Sequence, residues 1–515
     1  MFGVTVALLG NTQKHPKAKD INSVSFIIHV DVLVYVFGKE LCGNTSIVFR
    51  TPHYRNEAIY LSKVVEISPT TRHEGHSKLV LKVNDEGIIE RGDWLSITPV
   101  RGVEKLAIGK TMEQVPKIAS RVCGICPIAH TLAGVEAMEA SIGCEIPEDA
   151  KLLRYILQCA NRMHSHAIHN ILSLPDMYIP GTDTKINPFT KEEPVRSVAL
   201  RIQRLREIGQ TIGEIVGGEA IHPSNPRVGG MYTNITPRAK AKIYDLAKEA
   251  RVLAQQQMEF MIAVFRNYQK RDWAEVGGVE VPIPKTLGYH NQGYMATAPV
   301  YGSSSLDENP TWFPERFTEV RPWDWYMGEV EISEADPNYP IGGTTPVGNK
   351  AWPQMEACTG VPLYDGQPVE VGPRARQAIF KNYDEKGTIG LQIARQMEFP
   401  ETAYGIIDAV DALNTSGPVL ADEIPQGDGS LGWAANEAPR GTDVHLARVK
   451  DGRVQYYSML VPTTWNFPTC SRALEGAPWR LAEVVMRGYD PCVSCATHMI
   501  VIDEDKRLVA QKLIQ

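Results

Sequence analysis

The sequence predicts an α+β fold with a large helical-bundle core, a small N-terminal antiparallel sheet and irregular, aromatic-rich covering segments. Three observations carry this expectation. Long stretches with apolar residues near a 3.6-residue period recur through the middle of the chain, and helices with apolar faces close in sequence bundle together. Short runs rich in β-branched residues precede them, as a meander of strands does. The stretch 277–372 is rich in Gly, Pro, Trp and Tyr and has little period. Its aromatic content points to irregular structure wrapped over the core, not to a linker.

The elements follow in order. Val64–Ile67 and Leu79–Val83 read as strands. Asn84-Asp85-Glu86-Gly87 is a turn, and Trp94–Val100 is a third strand. Pro127 opens a helix, since its missing N–H costs nothing in a first turn. Glu148–Leu174 places Leu152, Leu153, Ile156, Leu157, Ala160, Met163 and Ala167 on one face. Pro194–Val216 is a second amphipathic helix, ended by Gly217-Gly218. Thr236-Pro237 is an N-cap followed by proline at the first helical position, starting a helix to about Gln269. A further helical region lies between Arg374 and Asn414. Val444–Met459 is a hairpin with Asp451-Gly452 at its turn, and Gly476–Gly488 is a last helix.

At 515 residues the chain exceeds one simple core, so two or three interlocked sub-domains are expected. A net charge of −7 gives no basic footprint for nucleic acid. No run of 18 or more apolar residues occurs, so no membrane span is expected. Residues 1–60 lack a clear helical period, a catalytic-looking cluster and the features of a secretory signal. They are read as an extension, either a mis-assigned start or a genuine arm. The nine cysteines are odd in number and mostly single, which argues against a disulfide framework and for a reducing, cytoplasmic setting.

Four of those cysteines are not single. Cys123 and Cys126 stand in Arg-Val-Cys-Gly-Ile-Cys-Pro-Ile-Ala-His, residues 121–130, and Cys492 and Cys495 in Asp-Pro-Cys-Val-Ser-Cys-Ala-Thr-His, residues 490–498. Two C-x-x-C pairs make a four-thiolate soft-metal site, for zinc, an iron–sulfur cluster or another thiophilic ion. Spacing alone favours zinc. Structural zinc pairs, however, usually stand roughly 15–20 residues apart, and these bracket nearly the whole domain. Two unrelated, inert pairs are the bland alternative.

The two segments together resemble the signature pair of nickel–iron hydrogenase large subunits. Four further segments resemble that family's motifs in order: Thr71-Arg72-His73-Glu74-Gly75-His76, Arg101-Gly102-Val103-Glu104, Ala438-Pro439-Arg440-Gly441 and Val461-Pro462-Thr463-Thr464-Trp465-Asn466. The likeness covers about Val64 to Gln515 and implies the large-subunit fold over 61–498. It implies that Cys123 and Cys492 are terminal nickel ligands. Cys126 and Cys495 would bridge nickel to an iron carrying carbon monoxide and cyanide. Dihydrogen would be split heterolytically. Glu74 would relay the proton, and Cys492 or Arg440 would accept it first. Arg440 and Thr463 would each donate to a cyanide. Glu104 and His498 would bind a separate magnesium or iron ion. Asp490 would salt-bridge near Arg440, and His130 would orient a cysteine sulfur or face the partner's cluster, with a satisfied core histidine as the alternative. Ser165 stands where many family members carry an aspartate, which should leave Arg440 less firmly held. The tail 499–515 would be removed by a maturation endopeptidase cutting after His498.

The remaining cysteines form no further cluster, so the resemblance implies that electrons leave through a separate iron–sulfur (gamma) subunit. The motif wording is most similar to the coenzyme F420-reducing group of methanogenic archaea. In that group an FAD-containing beta subunit reduces coenzyme F420. A related cytoplasmic hydrogenase feeding a disulfide reductase or a nicotinamide acceptor is the second reading. A zinc-stapled scaffold or a hydrogenase-like structural subunit is the reading from another class.

Overall fold

The early β-branched runs lie side by side. Strands β1 (Lys63–Ile67), β2 (Ser77–Val83) and β3 (Ile89–Ser96) form an antiparallel sheet in that order, with Leu79 opposite Trp94. The third strand starts five residues earlier than Trp94, because Ile89 and Arg91 already pair with Val83 and Lys82 across the turn. This computed structural model describes residues 63–98, 102–301, 317–320 and 361–496. The chain divides into Met1–Ala58 and Ile59–Gln515, and every described residue belongs to the second unit.

Two short helices, α1 (Val103–Ala107) and α2 (Val115–Ser120), lead to α3 (Pro127–Ile142), with Pro127 at its first position. Helix α3 is buried on nearly all sides, which its alanine-rich, largely apolar sequence allows. Four long helices form the bundle: α4 (Glu148–Ser173), α5 (Val195–Gly217), α6 (Pro237–Lys270) and α8 (Gly387–Ala412). Helix α4 packs on α5 and α8, and α6 packs on α5 and α8. Thr236 caps α6, its hydroxyl accepting the Ala239 N–H at 3.2 Å. The helical region 374–414 is two helices, because Asn382 adopts a left-handed φ of 56° after α7 (Pro373–Lys381) and α8 restarts at Gly387.

Short strand pairs cover the bundle. Strand β4 (Pro226–Arg227) pairs with β5 (Gly230–Met231), and β6 (Trp273–Val276) with β7 (Val279–Pro282). Strand β8 (Gly293–Met295) runs parallel to β11 (Val369–Val371), and β9 (Phe317–Val320) runs antiparallel to β10 (Val361–Tyr364). The predicted hairpin is present and gains a third strand that the pattern did not reveal. Strands β12 (Asp428–Ala438), β13 (Gly441–Lys450) and β14 (Arg453–Leu460) form an antiparallel sheet against α3. Helix α9 (Pro462–Leu474) follows. The last helix, α10, is only Ala482–Gly488, because Pro478 opens a separate 3-10 turn at Trp479–Leu481. No described helix is long and apolar enough to cross a membrane.

Candidate metal centre

The two C-x-x-C loops meet in the interior. Cys123 Sγ lies 3.0 Å from Cys492 Sγ, Cys126 Sγ 3.3 Å from Cys495 Sγ, and Cys492 Sγ 2.7 Å from Cys495 Sγ. All four cysteines are buried, with their sulfurs within 4.8 Å of one another. Each loop is built to present sulfur. In the first, the N–H groups of Ile125 and Cys126 point at Cys123 Sγ, at 3.2 and 3.4 Å. Cys126 is the N-cap of α3, where the helix dipole favours a thiolate. In the second, Cys492 N–H donates to Thr463 Oγ1 at 3.1 Å, leaving the Thr463 hydroxyl proton for another acceptor.

Electrostatics favours a cation here. Burial pushes the Cys123 thiol up, yet hydrogen bonding from its three neighbours brings it well below the ordinary range. Burial and contact with Cys123 push Cys492 and Cys495 well up. Like charges this close cannot all ionise by themselves. A soft cation accepting all four sulfurs removes that conflict, so the donor set fits a thiophilic metal.

Glu74 belongs to the same site. Its backbone is bridged to the second loop: Glu74 N–H donates to Pro491 O at 3.2 Å, and Val493 N–H to Glu74 O at 2.9 Å. Its Oε2 accepts from Ser494 N–H at 2.9 Å and lies 3.3 Å from Cys492 Sγ. Gly75 makes this docking possible. At its φ of 82°, a Cβ would meet Ser494 N at 2.7 Å and Val493 Cβ at 2.8 Å. The neighbouring Arg72 and Arg487 both pair with Asp176 just after α4, which ties this loop to α10. Glu74 is half-buried, whereas the sulfurs are buried.

Arg440 stands in the turn between β12 and β13, 3% exposed. Its Nε donates to Asp490 O at 2.5 Å, Nη2 to Asp490 Oδ1 at 2.9 Å and Nη1 to Ser165 Oγ at 3.0 Å. The carboxylate that Ser165 does not provide therefore comes from Asp490. Burial disfavours the Arg440 charge, but Asp490 and the cysteines hold its pKa above the ordinary value. Asp490 also lies 3.2 Å from His169 Nδ1. Burial pushes its carboxyl up, but Arg440 and His169 bring it well below the usual range.

His130 faces the sulfurs from α3. Its Nε2 is 3.3 Å from Cys495 Sγ and 3.7 Å from Cys126 Sγ. Glu104, on α1, is buried. His498, its expected co-ligand, lies outside the described residues, as does the tail from Met499 to Gln515.

Several residues near the centre escaped sequence reasoning. Asp443 and His445 stand behind His130, and His169 stands behind Asp490. The Asp-x-His spacing at 443–445 was a usable signal: two polar residues on one face of an otherwise buried strand. His169 carried no such signal.

Comparisons with known proteins agree with this site. The family described as nickel-dependent hydrogenase matches residues 101–173 and 198–498. The chain is 73% identical over 455 residues to the alpha chain of the coenzyme F420 hydrogenase of Methanosarcina barkeri, spanning 88% of this chain and 100% of that one. It is 27% identical over 467 residues to a chain of the F420-non-reducing hydrogenase of Methanococcus voltae, covering 85% and 95% of the two chains. The fold is similar to that of the Ni-Fe-Se hydrogenase of Desulfomicrobium baculatum, with a TM-score of 0.66 at 21% identity, over 85% of this chain and 100% of that one. With a matching family model, near-complete coverage of a close relative and four cysteines gathered at one buried point, the chain belongs to the nickel-dependent hydrogenase family.

Proposed function

We propose that this chain is the catalytic large subunit of a cytoplasmic, coenzyme F420-reducing nickel–iron hydrogenase. The observation that carries the reading is the meeting of four buried sulfurs with Glu74 placed on Cys492. Cys123 and Cys492 would hold nickel terminally, and Cys126 and Cys495 would hold both nickel and an iron bearing carbon monoxide and cyanide. When bound, such a centre supplies heterolytic cleavage of dihydrogen. The protein's own groups do the rest. Glu74 takes a proton from the Cys492 side, at 3.3 Å, and its partial exposure gives it a way out to solvent. Arg440, fixed by Asp490, keeps a guanidinium beside the sulfurs. The Thr463 hydroxyl is left to donate to a diatomic ligand. Glu104 and His498 would share a magnesium or iron ion.

Among the described residues the four-cysteine group is the one all-cysteine cluster. Electrons therefore leave through an iron–sulfur gamma subunit. They reach coenzyme F420 on an FAD-containing beta subunit. The 73% identity to the alpha chain of a coenzyme F420 hydrogenase supports this acceptor. The test is metal analysis of the purified complex, followed by dihydrogen-dependent reduction of coenzyme F420 beside a viologen dye. Nickel with iron and reduction of both acceptors are expected. Zinc alone would overturn the reading, and viologen reduction without coenzyme F420 reduction would move the chain to the F420-non-reducing group.

Two further outcomes are expected. Mass spectrometry of the active complex should show this chain ending at His498. A chain ending at Gln515 would rule out removal of the tail by a maturation endopeptidase. Ser165→Asp places a second carboxylate on Arg440 Nη1, now 3.0 Å from a hydroxyl. The bond already has a charged donor, and a carboxylate acceptor would turn it into an ion pair, so turnover and inhibitor binding should both change. Identical values in Ser165→Asp and the parent would make the position purely structural.

A further inference from the structure

Behind the sulfurs lies a buried polar chain that the catalytic reading does not use. His130 Nδ1 lies 2.9 Å from Asp443 Oδ2 and 3.5 Å from His445 Nε2. His445 Nε2 lies 3.4 Å from Asp443 Oδ1, and its Nδ1 lies 2.6 Å from the Tyr457 hydroxyl. All four side chains are buried, Asp443 and His445 completely. The strand period places them. Asp443 and His445 are two apart on β13, so both point to the α3 face, and Tyr457 stands beside them on the neighbouring β14.

Burying a carboxylate and two imidazoles costs several kcal/mol unless each is paired. A bland core would use apolar residues here, as β13 does at Val444 and Leu446. Space has also been kept for the chain. Gly134 lies one helical turn beyond His130 on α3, and a Cβ there would meet the Tyr457 hydroxyl at 2.7 Å and His445 Nδ1 at 3.6 Å. Helix and sheet therefore both accommodate the same polar group.

We infer that Asp443, braced by His445 and Tyr457, is a positioning residue that locks the His130 ring so that Nε2 stays between the sulfurs of Cys126 and Cys495. The inference rests on the reading that those two cysteines bridge nickel and iron. A ring nitrogen held at a fixed place beside these sulfurs sets the polarity around them, and outer partners of this kind tune a metal through its ligands. Asp443 thus acts on the centre without touching it.

The experiment uses the full complex, with Asp443→Asn and Tyr457→Phe. Both variants keep side-chain volume close to the parent's. Nickel and iron contents, turnover and the infrared stretching bands of the carbon monoxide and cyanide ligands are measured together. With nickel retained, Asp443→Asn should shift the bands and lower turnover by on the order of 10-fold. Tyr457→Phe should shift the bands in the same direction by less. Bands and turnover that match the parent in both variants would overturn the inference while leaving the metal-centre reading intact. So would the loss, in Asp443→Asn, of a metal ion beyond nickel and iron, because His130, Asp443 and His445 would then be ligands themselves. If Asp443→Asn does not assemble, Tyr457→Phe decides alone, since it removes only a hydroxyl. Parent complex with no nickel and no such bands would overturn the metal-centre reading, and this inference with it.

Discussion

Glu74→Gln should lower dihydrogen turnover by on the order of 10²–10⁴-fold, the usual worth of a positioned proton-transfer group, with nickel and iron contents unchanged. Gln has nearly the same shape and keeps an oxygen for the Ser494 N–H, now 2.9 Å from Glu74 Oε2. The backbone bridge between residue 74 and the second cysteine loop is untouched by the change. The amide cannot take up a proton near neutral pH, so only the relay is lost. Turnover with a viologen acceptor and metal analysis on the same sample check this. Activity within a few-fold of the parent at full nickel content would remove Glu74 from the proton path. Loss of nickel would instead show that the carboxylate holds the second loop in place.

Arg376→Met should destabilise the protein by about 3–5 kcal/mol near neutral pH, the cost of breaking a buried ion pair from one side. Arg376 spends every N–H it has. Nε and Nη2 donate to Glu398 at 2.7 and 2.9 Å, and Nη1 to Glu437 at 2.9 Å. The remaining bonds go to the carbonyls of Ala438 and Pro439, at 3.0 and 3.1 Å. The guanidinium therefore pairs with two buried carboxylates and anchors the chain just before Arg440.

The pH dependence has a defined sign. Burial raises the Glu398 pKa, but Arg376 and His166 overcome this and bring it well below the usual carboxylate range. A depressed carboxyl pKa contributes stability above the unfolded value, about 4.3, and that stability is lost as pH falls toward the folded value. In Arg376→Met the same carboxyl is buried without its cation, and its folded pKa rises instead. The gap between the two proteins should be wide at pH 7 and shrink progressively as pH falls through the carboxylate range toward the depressed folded value of Glu398. Thermal unfolding midpoints of the complex, taken stepwise from pH 7 downward, measure it. A gap independent of pH would show that lost packing, not charge, makes Arg376 necessary.

Local chemistry made much of this protein readable in one dimension. The α6 start at Thr236-Pro237, the turn at Asp451-Gly452 and the periodic face of α4 each follow from residues a few positions apart. The four cysteines were legible for the same reason, because each pair announces a soft metal within four residues. Where local signals stop, so did the reading. Asn382 divides α7 from α8 through a left-handed conformation that its residue type permits but does not require. The resemblance pointed to Asp490 beside Arg440, but the second partner of Asp490 is His169 on α4, and the partner of His130 is the carboxylate of Asp443 on β13. Buried polar groups must find partners. Which partner each one finds depends on how α3, α4 and the β12–β14 sheet pack, and that packing brings together residues that share no local signal.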